Sequence, residues 1–224
     1  MDSVGTKSGI INIARKLFYS KGFSKTSIQN IINEADIAKG TFYHYFKSKD
    51  DLLNQMTERD VEALYNLIYK ILDLDIDAIK KLNMVFQTAS TWKSENIQMM
   101  KVLVKKILSD SNLALRYTML RQSIKQLTPI YQRIILQGNN EGLFNVTDTD
   151  YTANFILASF INNGEEMYKF LTAPKFTEDI ILEFKKYIHN YEVTMERLLG
   201  AEEGTIHLID SVVLEKLLKG LLEA

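Results

Sequence analysis

Cysteine is absent from the 224-residue chain, which excludes disulfide bonds, thiolate metal sites and a cysteine nucleophile. Only 2 prolines and 10 glycines occur, so long helices are favoured over strands joined by tight turns. No uncharged apolar run approaches the roughly 18 residues of a transmembrane helix. The N-terminus lacks the basic-then-apolar pattern of a secretory signal. A cytoplasmic location without membrane contact is therefore expected.

Charge is distributed unevenly along the chain, although the whole carries only −1. Residues 1–50 contain eight lysines and arginines against four acids, a net +4, so residues 51–224 carry −5. A basic segment joined to an acidic one is typical of a protein that presents one end to phosphate groups. Chance clustering on a solvated surface is the alternative.

Two amphipathic helices are predicted near the start of the chain. The first has apolar residues at helical spacing from Ile10 to Phe18, and Gly22 follows it in the position of a left-handed cap. The second has an isoleucine-rich face, and Thr26 with Gln29 in front of it forms a T-x-x-Q capping box. The short turn "DIA" then leads into a third helix.

This third helix, "KGTFYHYF", crowds four aromatic rings beside a lysine and a glycine. Phe42 and Phe46 lie four residues apart, so both are expected to pack inward against the first two helices. The opposite side carries residues that suit contact with an anion: Lys39, Gly40, Tyr43 and His44. The spacing alone does not place Tyr45.

Three short helices, with the second and third joined by a tight turn, describe a helix-turn-helix head. A long fourth helix is predicted from about Lys49, behind a weaker capping box of Ser48 and Asp51. This helix supports the head, because about 50 residues bury little core alone. A three-helix unit packed only for stability is the alternative.

The segment "KTSIQNIINEADIAKGTFYHYFKSKDDLL" resembles the DNA-binding signature of the TetR family of bacterial transcriptional regulators, over about residues 6–56. The resemblance implies an all-α fold. In it, a three-helix helix-turn-helix head (1–50) joins through the fourth helix to a helical ligand-binding and dimerisation body (51–224). It also implies a homodimer in which each head places its third helix in a major groove of an operator, a double-stranded DNA partner.

The residues that match the family's DNA-contacting positions are Thr26, Lys39, Gly40, Thr41, Tyr43, His44, Tyr45 and Lys49. Without a side chain, Gly40 lets the backbone approach a phosphate. Tyr43 offers a rigid hydroxyl donor and Lys49 a point charge. The side chains of Thr41 and His44 are the candidates for contact with base edges.

Two positions depart from the family's usual pattern. Ala38 stands where members commonly have a small hydroxyl residue, so a helix cap and a phosphate contact are expected to be missing there. Tyr45, where members often have histidine, precedes Phe46. The operator sequence therefore cannot be carried over from the family.

The body is predicted to consist of helices near 75–91, 94–109, 112–140, 149–173, 177–199 and 210–222. Pro129 is expected to kink the third of these. The fourth is apolar nearly all round and the fifth has a broad apolar stripe. The resemblance implies that these two helices pair with their twins in a four-helix dimer interface. An ordinary intramolecular core is the alternative.

The middle helices carry soft and aromatic side chains that suit an adaptable apolar pocket. A carboxylate among aromatic rings, Glu165, would favour a cationic ligand. Core packing explains the same residues equally well, and Glu165 would also suit a bond across the dimer. The candidate effector-binding residues are Phe86, Trp92, Met100, Tyr117, Tyr131, Glu165 and Tyr168.

The favoured function is a repressor released from its operator by an apolar or cationic small-molecule effector. An enzyme is disfavoured because the three histidines lie far apart without metal-ligand spacing, and because no phosphate-binding, dinucleotide-binding or G-x-S-x-G motif occurs. No metal or cofactor is therefore expected. The remaining alternative is a DNA-binding protein of the same fold that answers to a protein partner.

Overall fold

The structure is a computed structural model that describes residues 3–100, 102, 113–162 and 177–222. Every regular element in this part of the chain is a helix, which confirms the all-α prediction. The chain divides into two compact units: unit 1 comprises Met1–Tyr65 and Gln98–Leu103, and unit 2 comprises Asn66–Ile97 and Val104–Ala224. The functional boundary at residue 50 stays a prediction.

Four helices are described in residues 3–65 of unit 1. They are α1 (Ser3–Lys21), α2 (Ile28–Glu34), α3 (Lys39–Tyr45) and the part of α4 (Lys49–Leu72) that precedes Asn66. Gly22 ends α1 with φ +86°, a left-handed conformation that glycine adopts without steric cost. The predicted cap is therefore confirmed, as is the start of α4 at Lys49.

The start of α2 is capped one residue later than predicted. Ser27 is the N-cap: its Oγ accepts the Asn30 N–H at 3.1 Å, and the Asn30 Oδ1 accepts the Ser27 N–H at 2.9 Å. The predicted box of Thr26 and Gln29 is wrong. The reason is that the Thr26 hydroxyl bonds to backbone carbonyls behind the helix, which leaves Ser27 to satisfy the open N–H groups.

The core of unit 1 confirms the inward pair of α3. Phe42 and Phe46 are both fully buried, with ring centroids 5.6 Å apart. Burying each ring contributes about 1.5–3 kcal/mol. They pack in one cluster with residues of α1 and α2: Ile10, Ala14, Leu17, Phe18, Ile31 and Ile32.

The helices described in unit 2, besides the end of α4, are α5 (Ala78–Glu95), α6 (Leu113–Asn140), α7 (Thr149–Asn162), α8 (Glu178–Leu199) and α9 (Ser211–Leu222). Apart from the C-terminal end of α7, which the structure describes only to Asn162, their described ends lie within four residues of the predicted ones. Two predicted stretches lie outside the described residues: most of the helix 94–109, and residues 163–173 of the helix 149–173. Pro129 lies inside α6, and the kink there stays a prediction.

The segment between α8 and α9 is held by side chains that accept its backbone N–H groups. The Ile206 N–H donates to Glu196 Oε1 at 2.9 Å, and the Leu208 N–H donates to Glu192 Oε1 at 2.8 Å. Beyond it, Leu214 of α9 packs against Phe184 of α8. The C-terminal extension therefore belongs to unit 2 and covers one apolar face of α8.

Among the helices that the structure describes, none combines the length and the apolar character that a membrane span requires.

Candidate nucleic-acid interface

The N-terminus of α3 is not closed by a side chain. Ala38 is the N-cap, with extended backbone (φ −69°, ψ 148°) and no side-chain cap hydrogen bond, as its methyl group dictates. Gly40 is exposed, and beyond its chain neighbours and the backbone of its own helix no atom lies within 4 Å of a Cβ built on it. Packing inside the chain therefore does not require glycine at this position, and the backbone of the first turn is accessible from outside.

The outer side of α3 (Lys39, Gly40, Tyr43 and His44) is solvent-exposed along its whole length. Tyr43 is 47% exposed, and the buried Phe42 holds its ring edge-to-face at a centroid distance of 5.4 Å. Thr41 is half-buried beside this side. This side of α3 suits contact with phosphates, because it presents a cation, an accessible backbone and a tyrosine hydroxyl together.

Tyr45, which the spacing left unplaced, is half-buried and packs against the unit 1 core. Its ring contacts His44 at 4.8 Å between centroids. It also lines a surface groove with Lys7 of α1 and Arg59 of α4. Tyr45 therefore lies at the edge of the outer side of α3.

Thr26 lies in the interior rather than on the exposed surface. Its side chain is 1% exposed, and its hydroxyl lies 2.9 Å from the Gly22 carbonyl and 3.3 Å from the Leu17 carbonyl. Thr26 is expected to contact DNA, but in the structure its hydroxyl bonds to carbonyls of α1 and of the turn between α1 and α2.

Lys49 is half-buried, and its ammonium bonds within unit 1. The Nζ donates to the Phe23 carbonyl at 2.7 Å and to the Thr26 carbonyl at 2.8 Å. It also lies 4.3 Å from the centroid of the Phe23 ring. Lys49 is expected to contact a phosphate beside Tyr43. In the structure Tyr43 is exposed, whereas the ammonium of Lys49 bonds to carbonyls of its own unit.

Lys7 was counted in the basic charge of the head but not among the expected DNA contacts. Its Nζ lies 5.9 Å from the centroid of Phe46, the residue that ends α3. The structure adds it as a second cation near α3. The only sequence signal for it was the positive net charge of residues 1–50.

An ion pair with one hydrogen bond connects two helices that support the interface. The Arg15 guanidinium of α1 approaches both carboxylate oxygens of Asp60 of α4 at 2.9 Å. Burial lowers the pKa of Arg15, but the hydrogen bond and charge of Asp60 outweigh it and raise that pKa. This charge-assisted bond connects α1 to the middle of α4.

The candidate effector residues are only partly brought together. In unit 2, Phe86 of α5 and Tyr131 of α6 are buried and meet edge-to-face at 6.0 Å, and burial raises the pKa of Tyr131. Trp92 is half-buried on α5, whereas Met100 belongs to unit 1. The Tyr117 side chain and all of Glu165 and Tyr168 lie outside the described residues.

An apolar strip on α7 and α8 is open to solvent. Tyr151, 68% exposed, stacks on Phe155 at 6.3 Å between centroids. Phe155 also lines a groove with Tyr191 and Leu198 of α8. Tyr191 and Leu198 lie seven and fourteen residues after Phe184, the α8 residue that contacts Leu214 of α9, so the groove occupies a later stretch of α8 than that contact. We call Tyr151, Phe155, Tyr191 and Leu198 the α7–α8 face.

Within the part of the chain that the structure describes, no group of three His, Asp or Glu residues could hold a metal ion.

Two short helices, α2 and α3, joined by a four-residue turn and packed in one core with α1, form a helix-turn-helix. The family model described as bacterial regulatory proteins, tetR family, matches residues 10–56. The model described as tetracyclin repressor-like, C-terminal domain, matches residues 94–187. The chain belongs to the TetR family of transcriptional regulators. Membership confirms the predicted resemblance and the expectation that the protein is not an enzyme.

Individual relatives agree with this assignment. YerO of Bacillus subtilis, an uncharacterized HTH-type transcriptional regulator, is 30% identical over 168 residues, which cover 71% of this chain and 57% of YerO. The HTH-type transcriptional repressor KstR2 of Mycolicibacterium smegmatis is 26% identical over 80 residues, or 36% of this chain and 39% of KstR2. The chain thus spans less than two thirds of either relative.

A solved structure shares the fold. The crystal structure of a TetR-family transcriptional regulator from Pectobacterium atrosepticum matches with a TM-score of 0.65 at 19% identity, covering 88% of this chain and 96% of that chain. At this identity the likeness concerns the fold alone.

Proposed function

We propose that the protein is a cytoplasmic transcriptional repressor that binds an operator duplex as a homodimer and leaves it when a small-molecule effector binds. The observation that carries the proposal is the division of α3. Phe42 and Phe46 anchor it inward, while Lys39, Gly40 and Tyr43 face solvent. The relative KstR2 is a repressor by name, which supports the same direction of control.

Different residues on the outer side of α3 contact phosphates and base edges. Lys39 and the Tyr43 hydroxyl contact phosphates, and the accessible backbone at Gly40 lets a phosphate approach the first turn. His44, with Thr41 beside it, reaches base edges, where a threonine methyl suits the thymine methyl. Tyr45 borders this contact.

The Lys39→Ala variant tests the phosphate contact. Because each neutralised phosphate contributes about 0.9 to the slope of log K against log salt, loss of one contact per protomer lowers the slope by about two in a dimer. The measurement is fluorescence anisotropy over a salt series, with a duplex selected by the wild-type protein from a random-sequence pool. Lys185→Ala, which removes an exposed lysine of α8, is the matched control. An unchanged slope in Lys39→Ala contradicts the proposal.

The effector is proposed to be an apolar or cationic small molecule bound in unit 2. The buried contact of Phe86 with Tyr131 supports an aromatic lining for such a site. An effector that favours one conformation of the dimer changes operator affinity by about 5- to 150-fold.

A cell extract separated by molecular mass distinguishes the two kinds of control. The low-mass fraction is expected to weaken the complex of wild-type protein and selected duplex, measured again by anisotropy. The high-mass fraction serves as its control. An effect confined to the high-mass fraction contradicts the small-molecule effector and favours a protein partner.

A further inference from the structure

The turn between α1 and α2 (residues 22–27) presents two backbone carbonyls to one cation. The carbonyl oxygens of Phe23 and Thr26 lie 2.7 and 2.8 Å from the Nζ of Lys49. Both contacts are short charge-assisted hydrogen bonds, which are stronger than neutral ones. Lys49 is the first residue of α4, so these bonds connect the start of α4 to the α1–α2 turn.

The Phe23 ring completes the surroundings of the ammonium. The Nζ lies 4.3 Å from the ring centroid, within the range of a cation–π contact. The ring itself is held edge-to-face against the buried Phe18 at 5.0 Å. An ammonium has three donors, and here two carbonyl dipoles and an aromatic face from the same unit satisfy its charge. The geometry is that of an internal clamp.

Thr26 takes part in the clamp through both of its polar groups. Its carbonyl accepts from Lys49, and its buried hydroxyl lies 2.9 Å from the Gly22 carbonyl. The next residue, Ser27, is the N-cap of α2. Thr26 and Lys49 are both expected to contact DNA, but in the structure both form hydrogen bonds just before the first residue of α2.

We propose that Lys49 is a positioning residue for DNA recognition and does not neutralise a phosphate. Its ammonium fixes the start of α2 on the start of α4. Because Ile31 and Ile32 of α2 share one buried cluster with Phe42, the clamp also sets the placement of α3. This inference rests on the proposed function. It further means that a displacement of the N-terminal end of α4 carries the start of α2 with it.

The salt dependence of DNA binding separates positioning from phosphate contact. Lys49→Met removes the ammonium but keeps an unbranched stem beside Phe23, and Lys49→Ala provides a second, shorter variant. Lys39→Ala is the reference for a lost phosphate contact. Affinity for the duplex selected by wild-type protein is measured between about 50 and 200 mM salt, together with the midpoint of thermal unfolding.

We expect Lys49→Met to weaken binding by at least about tenfold, because two bonds to a charged group are lost in each head, and to retain the wild-type salt slope. The midpoint of unfolding should fall by roughly 3–10 °C. In Lys39→Ala the slope should instead fall by about two per dimer.

Two results overturn the assignment of Lys49. A slope that falls in Lys49→Met as it does in Lys39→Ala makes Lys49 a phosphate contact. If Lys49→Met binds the selected duplex with wild-type affinity at a temperature well below its unfolding midpoint, Lys49 contributes to stability alone. Failure of the proposed function looks different, because wild-type protein would then enrich no duplex and this inference would fall with it.

Discussion

Alanine in place of Phe42 is expected to destabilise the DNA-binding unit by about 3–5 kcal/mol, whereas alanine in place of its neighbour Tyr43 is expected to leave it folded and unable to bind DNA with high affinity. Phe42 is 0% exposed and contacts Phe46 within the core. Removing a buried phenylalanine costs about 3–5 kcal/mol, a large part of the roughly 5–15 kcal/mol that stabilises a whole domain. Thermal and urea unfolding followed by circular dichroism measure this loss.

Tyr43 supplies the matched comparison, since it follows Phe42 directly and faces the other way. At 47% exposure its truncation removes mainly the edge-to-face contact with Phe42, about 0.5–1.5 kcal/mol. A lost hydroxyl–phosphate bond costs about 1.5–3 kcal/mol per head, so affinity of a dimer falls at least about a hundredfold. Tyr43→Phe isolates the hydroxyl and should show most of this loss. Unchanged DNA affinity in both Tyr43 variants would count against the proposed interface.

The two sides of α3 could be predicted from the sequence because helical geometry alone decides them. Residues four apart share a face, so burial of Phe42 with Phe46 follows from spacing, and exposure of Lys39 and Tyr43 follows from the remainder. The left-handed cap at Gly22 was equally local. Such features depend only on neighbours in sequence.

The contacts of Lys49 and Thr26 could not be predicted in the same way. The bonds of Lys49 reach carbonyls 26 and 23 residues earlier in the chain. Its flexible four-carbon stem is compatible with either an outside phosphate or an inside carbonyl. Only the tertiary placement of the α1–α2 turn decides between them. For Thr26 a local alternative, Ser27, also satisfied the capping rule.

The apolar stripe of α8 posed a similar problem. Spacing predicts one broad stripe that includes Phe184 and Tyr191, which the family resemblance pairs with a dimer partner and which an intramolecular core would explain as well. In the structure Phe184 is covered by Leu214 of α9, while the Tyr191 hydroxyl donates to the Ile156 carbonyl of α7 at 3.2 Å. The sequence could not divide the stripe, because the division depends on where the C-terminal extension packs.

The apolar side chains that stay exposed on α7 and α8 indicate where a second copy of the chain would dock. Leu214 of α9 contacts Phe184 of α8, whereas the described α7–α8 face keeps apolar side chains open to solvent, with Phe155 46% exposed. A two-fold interface places the same patch on both protomers. We therefore propose that the homodimer forms through the α7–α8 face.

Phe155→Glu is expected to convert the dimer to monomers and to remove high-affinity operator binding. A two-fold interface would bury the introduced carboxylate twice without a counter-ion, and an uncompensated buried charge costs about 3–5 kcal/mol. Two linked heads gain about 10²- to 10⁴-fold in affinity over one, and monomers forfeit this gain. Sedimentation equilibrium and anisotropy measure the two effects.

Val212→Glu is the control for this substitution. Val212 is 72% exposed on α9, outside the α7–α8 face, so an added carboxylate there should leave both mass and affinity unchanged. Because Phe155 is already half in solvent, its variant should also keep the protomer's free energy of unfolding within about 1 kcal/mol of the wild-type value. A Phe155→Glu protein that stays dimeric and still binds DNA would mean that the twin docks elsewhere.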